Sequence, residues 1–133
     1  MFLIIDTANI EYIYLGLGKE SQVEYEQKIP AKFEQEEKLL VSLDKFVKDN
    51  NLELVDLSGI ITVNGPGSFS ALRIGLAVGN TLAWSLNKKI VGFNKNSFSN
   101  YQDLLKQGIL ELDKIDDFKI VLPEYGAEPN INK

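Results

Sequence analysis

A chain of 133 residues suits one compact domain, and at this size folding buries roughly two thirds of the unfolded surface. With 44% hydrophobic and 25% charged residues the composition is that of an ordinary globular domain, neither disordered nor fibrous. Cysteine and histidine are both absent, which excludes disulfides, thiol nucleophiles, imidazole bases and metal sites built on those residues, while a formal charge of -5 disfavours unaided binding to a nucleic acid backbone.

In chain order, Phe2-Leu3-Ile4-Ile5-Asp6 reads as a central strand with both faces covered. No basic segment precedes it, and the longest largely apolar stretch, Ile74 to Leu86, is too short to span a bilayer; a cytoplasmic protein without membrane contact is expected. Ile10 to Leu17 and about Ser21 to Ile29 continue as a strand meander, the third strand placing Val23 and Tyr25 on one face and Glu24 and Glu26 on a wet one. From about Phe33 to Asn50 the period changes to that of a helix, with Leu39, Leu40, Leu43, Phe46 and Val47 in its apolar stripe. Ser58 to Val63 is a buried strand, Asn64 to Ser68 a tight turn, Phe69 or Ser70 to Leu86 a second helix, and Ile90 to Phe93 another strand. The pattern of three meandering strands, then helix, strand, helix, strand is α/β architecture with a mixed sheet. A modest helix capped by Ser97, Ser99 or Asn100 and running through Leu105, a polar Asp113 to Asp117 stretch, a final strand over Phe118 to Leu122 and a mobile tail from Glu124 complete the expectation.

The turn Asn64-Gly65-Pro66-Gly67-Ser68 joins a strand to a helix, a place where exposed helix amides bind anions. Gly65 and Gly67 would allow close backbone approach, and Ser68 or Ser70 would cap the helix and donate to a phosphate; the alternative is a rigid corner whose serine is only a cap. A P-loop lysine and the spacing of a dinucleotide fingerprint are both missing. Behind the turn, Ala71, Gly75, Gly79 and Ala83 recur every four residues as a smooth ridge on a helix apolar nearly all round, with Leu72, Leu76 and Leu82 filling its other faces. Such a ridge points to a protein partner on that surface, which Leu39, Leu43 and Phe46 of the first helix would join, or to cover by the first helix with its Leu39, Leu40 and Phe46. On the partner reading, leucine at Gly75 or Gly79 disrupts assembly and spares the fold. Arg73, one turn into the helix, has as readings a phosphate anchor, a partner carboxylate or a local acid. Asp6 ends the first strand beside Thr7, a position suited to a metal-binding or phosphate-orienting acid, but Glu11 is the only other acid near it in sequence. No catalytic residue and no metal site is assigned, and Ser68 has no histidine or lysine to activate it.

Phe2 to Ala8, and above all Gly65-Pro66-Gly67-Ser68-Phe69-Ser70-Ala71-Leu72-Arg73-Ile74-Gly75-Leu76-Ala77, resemble the bacterial TsaB/YeaZ family, with Pro123 to Tyr125 a fainter match to its ending. The resemblance implies an actin-like, ribonuclease-H-like fold over residues 1–122 as a single lobe, with 123–133 a flexible tail. It further implies a non-catalytic subunit for N6-threonylcarbamoyladenosine formation at position 37 of tRNA. Such a subunit binds TsaD through its first two helices, works beside TsaE, pairs with a second copy when alone, and leaves ATP, metal and most tRNA contact to its partners. Typical members carry two lobes and are considerably longer. The competing expectation is a small nucleotide-binding or phosphotransfer module using Asp6, Thr7 and the Gly65 to Ser68 turn.

Overall fold

The computed structural model describes residues 1–30 and 36–125. The first apolar run is strand β1 (Phe2–Asp6), which turns Leu3 and Ile5 to one buried face and Ile4 to the other. A strand buried on both faces sits inside a sheet, and β1 pairs antiparallel with β2 (Tyr12–Lys19) and parallel with β4 (Gly59–Gly65). β3 (Gln22–Pro30) lies outside β2 and β5 (Ile90–Asn94) outside β4, so the mixed sheet has five strands in the order β3-β2-β1-β4-β5. Helices α1 (Glu36–Asp49) and α2 (Phe69–Ser85) cover one face, and α3 (Tyr101–Lys114) covers the other. Element order and mixed sheet follow the α/β pattern expected from the sequence.

Several details differ, each for a local reason. β2 begins at Tyr12 because the Asn9 side chain accepts from the Glu11 and Tyr12 amides, at 2.6 and 3.3 Å, and turns the chain before pairing starts. A bulge opposite Leu17 and Gly18 leaves Glu24 without a register partner, so Val23 joins the α3 side while Tyr25 is exposed. α3 runs nine residues past the expected Leu105, to Lys114, because Leu104, Leu105, Gly108 and Leu112 keep one face buried; Asn100 caps it by accepting from the Asp103 amide. Phe118 to Leu122 is not a strand: Asn80 of α2 takes both backbone groups of Val121, and Asn64 of β4 donates to the Leu122 carbonyl. Glu124 and Tyr125, expected in the tail, are tied to the turn after β4. Phe33 and residues 126–133 lie outside the described residues. Among the described residues no helix is long and apolar enough to cross a membrane.

Candidate functional site

The end of β1 is the first candidate. Asp6 is 5% exposed, and its carboxylate accepts from the Ala8 amide at 2.8 Å and from the Tyr101 hydroxyl at 2.6 Å. Burial pushes its pKa up, against the lowering pull of those two hydrogen bonds and of the Lys95 charge. The Tyr101 ring stacks on Tyr14, centroids 3.5 Å apart, and the Tyr14 hydroxyl donates to Glu26 at 2.6 Å. Both phenols are pushed up, first by burial and then by the carboxylates that accept their hydrogen bonds. The acid that suited a metal or phosphate is therefore engaged by α3. Among the described residues no three acids converge as metal ligands.

The glycine turn is the second. Gly65 has φ of 131°, a conformation that side-chain-bearing residues avoid, and a Cβ there would strike the Glu124 carbonyl. Gly67 lies against Ala8, which brings the turn and the β1 end together. Ser68 stands at the N-cap of α2, but its side chain makes no capping bond; its carbonyl accepts from Leu72 at 2.9 Å. Ser70 is exposed, as is Arg73, whose guanidinium lies 5.3 Å from the Phe69 ring centre. Asp6 and Thr7 are thus buried while Ser68, Ser70 and Arg73 face outward, so these residues do not form one pocket.

The small-residue ridge faces the sheet. Gly75 seats directly on Thr7, Gly79 lies over Ile5, Thr62 and Ile90, and Ala83 is fully buried, with Ala71 half-buried. Leu39, Leu43, Phe46, Leu72 and Leu76 are buried within the chain as well. The physical reason is the closeness of helix-on-sheet packing, which consumes the smoothest face of α2. What α2 leaves open is the next stripe around, Ala77, Thr81 and Ser85, again at four-residue spacing. Opposite it on α1 stand Leu40, Val41 and Asp44, and between the helices lies an open, mainly apolar groove of about 770 Å³. Leu40 and Val41 are 46% and 66% exposed, unusual for aliphatic side chains flanking a core helix. Of the ten residues first assigned to a partner surface, Leu82 lines this groove. Among the others that line it, Ala77, Thr81 and Ser85 carried a signal as a second small stripe, and Val41 as an apolar residue beside the stripe of α1.

A protein-family model described as TsaD, tRNA N6-adenosine threonylcarbamoyltransferase, matches residues 21–111. The chain belongs to this family. Among curated relatives, it is 33% identical over 85 residues to the tRNA threonylcarbamoyladenosine biosynthesis protein TsaB of Bacillus subtilis strain 168, a match covering 64% of this chain and 37% of the relative. To the tRNA N6-adenosine threonylcarbamoyltransferase of Brachyspira hyodysenteriae it is 29% identical over 94 residues, covering 69% of this chain and 28% of the relative. The match thus spans about a third of the length of these relatives. Among solved structures, YeaZ from Pseudomonas aeruginosa superposes with a TM-score of 0.59 at 23% identity, over 70% of this chain and 43% of that one. That likeness carries the fold: the sheet and helices of this TsaB/YeaZ homologue are actin-like and ribonuclease-H-like, as expected.

Proposed function

We propose that this chain is a non-catalytic docking subunit in the formation of N6-threonylcarbamoyladenosine in tRNA, and that it binds a TsaD-type protein through the α1–α2 groove. The family match supports the pathway. The observation that carries the docking reading is the groove itself, apolar, open and flanked by Leu40 and Val41 on one helix and Ala77, Thr81 and Ser85 on the other. Small residues on α2 let a partner helix approach closely, and the aliphatic pair on α1 supplies apolar area to bury. In the absence of TsaD the same groove pairs with a second copy. ATP and metal belong to the partner, TsaE joins the assembled complex, and tRNA is held mainly by partner surfaces, consistent with a chain charge of -5. Against the competing nucleotide-binding module stands Asp6, which is buried and already accepts two hydrogen bonds.

Titration calorimetry tests both readings. The chain binds the cognate TsaD protein, Val41→Asp with Thr81→Arg weakens that binding at least 100-fold while circular dichroism is unchanged, and ATP with magnesium gives no heat with the isolated chain. Undiminished binding by the double variant overturns the groove assignment, and tight ATP binding favours the nucleotide module.

A further inference from the structure

Three asparagines on three different elements converge on one extended stretch of chain. After α3 the chain passes Ile115 to Asp117, where Lys89 Nζ donates to the Ile115 carbonyl at 2.9 Å, and continues from Phe118 to Tyr125 without joining the sheet. Asn80 of α2 grips Val121 with both ends of its amide, Nδ2 donating to the carbonyl and Oδ1 accepting from the N–H, each at 2.9 Å. Asn64 of β4 donates from Nδ2 to the Leu122 carbonyl at 3.2 Å, and its own backbone carbonyl accepts from the Glu124 amide at 2.7 Å. Asn94 of β5 donates to Glu124 Oε1 at 2.8 Å. All but the last of these bonds end on main-chain atoms of the stretch, so what they recognise is an extended backbone.

Missing side chains clear the path for it. A Cβ on Gly92 would strike Val121 Cγ1, and one on Gly65 would strike the Glu124 carbonyl. Side chains then anchor both ends: Phe118 and Val121 pack on the α1–α2 side of the core, and Tyr125 meets Phe69 with ring centroids 4.6 Å apart. The other aliphatic side chains of the stretch, Ile120 and Leu122, point outward at 58% and 67% exposure and hold nothing down.

We propose that this channel along α2, β4 and β5 is an extended-peptide binding site, filled in cis by residues 118–125, and that its partner in trans is the same segment of a second copy, exchanged reciprocally. Every contact named above is the same whichever chain supplies the segment, so only the hinge and the cost of association separate the closed monomer from the exchanged pair. The hinge is lightly held: Asp116 and Asp117 are exposed, and Lys89 donates to the Ile115 carbonyl beside them. In cis the segment acts at a millimolar-scale effective concentration, which keeps the wild-type chain closed at ordinary concentrations.

Complementary variants expose the exchange. Val121→Asp spoils the segment and leaves the channel intact, whereas Asn80→Leu spoils the channel and leaves the segment intact. Mixed and analysed by sedimentation velocity, the two form a one-to-one heterodimer at least tenfold more populated than either variant's own dimer. Both proteins also carry Val41→Asp and Thr81→Arg, which block pairing through the α1–α2 groove; a mixture no more associated than the separate variants, each folded by circular dichroism, overturns the proposal. If either variant fails to fold, the chain is given a protease site between Asp116 and Asp117 and cleaved. Retention of the severed segment on gel filtration, and its displacement by excess synthetic peptide of residues 117–125, supports the channel; immediate loss of the segment overturns it.

Discussion

Thr7 and Gly75 hold α2 to the end of β1, and the pair lets two opposing effects be weighed. Alanine at position 75 would favour the helix by about 1 kcal/mol over glycine. Its Cβ would collide with the side chain of Thr7, which is 4% exposed, and overpacking of this kind costs about 1–3 kcal/mol. Packing wins, so Gly75→Ala lowers the urea midpoint and Gly75→Leu lowers it further; Thr7→Ala restores most of the loss in the alanine variant, a coupling that a double-mutant cycle reads directly. The prediction made from sequence, that leucine at Gly75 or Gly79 would spare the fold, is withdrawn on the same geometry. Asp6 supplies a pH-dependent counterpart. Burial raises its folded pKa above the ordinary value of 3.8, so its contribution is fully present below that value and is lost as pH rises through the folded pKa. Relative to Asp6→Asn, the wild-type chain therefore loses stability as pH is raised from about 4 toward neutrality. Urea midpoints for both proteins across that range measure it, and a difference that grows in favour of wild type with rising pH contradicts the burial argument.

At the scale of elements, α2 has two small-residue stripes with different uses. Gly75 and Gly79 meet the sheet, and Ala77, Thr81 and Ser85 border the groove. Val41→Asp and Thr81→Arg both lie at exposed positions, so each changes stability by no more than about 0.5 kcal/mol while weakening partner binding. By contrast Asn100→Ala removes the α3 cap and costs about 1 kcal/mol in a thermal or urea melt, with partner binding unchanged. How far these elements were legible depends on whether their signal was local. The β1 run and the α1 stripe carry periodicity in adjacent residues and stand where they were read over the described residues, whereas the turn expected from Asn64 starts two residues later because β4 continues through Asn64 and Gly65. The second half of α3 was hidden because Gly108, which lowers helix propensity, is there to admit Ile61 of β4, a contact 47 positions away in the chain. Phe118 to Leu122 has the composition of a strand, but Asn80 takes both backbone groups of Val121, and nothing local announces an asparagine 41 positions earlier. The candidate sites failed in the same way: the ridge was visible, yet which stripe meets the sheet is decided by Thr7 and Thr62, not by α2 itself.

Over the whole molecule, one sheet with helices on both faces leaves the α1–α2 groove open, and the chain matches about a third of the length of its curated relatives. The acid that ends β1 is spent on α3, and a net charge of -5 disfavours unaided tRNA binding, which fits the proposed docking role. The isolated chain accordingly shows no tRNA binding in a filter assay at about 0.15 M salt, where screening leaves only close charge contacts. The central claim is that the chain promotes tRNA modification by docking a TsaD-type partner through that groove. It is tested most directly by the rate of N6-threonylcarbamoyladenosine formation in a reaction containing the cognate TsaD, TsaE and threonylcarbamoyl-adenylate, run without the chain, with it, and with Val41→Asp, Thr81→Arg. The account predicts at least a tenfold rate gain from the wild-type chain and none from the folded double variant; no gain from wild type, or an equal gain from the variant, contradicts it.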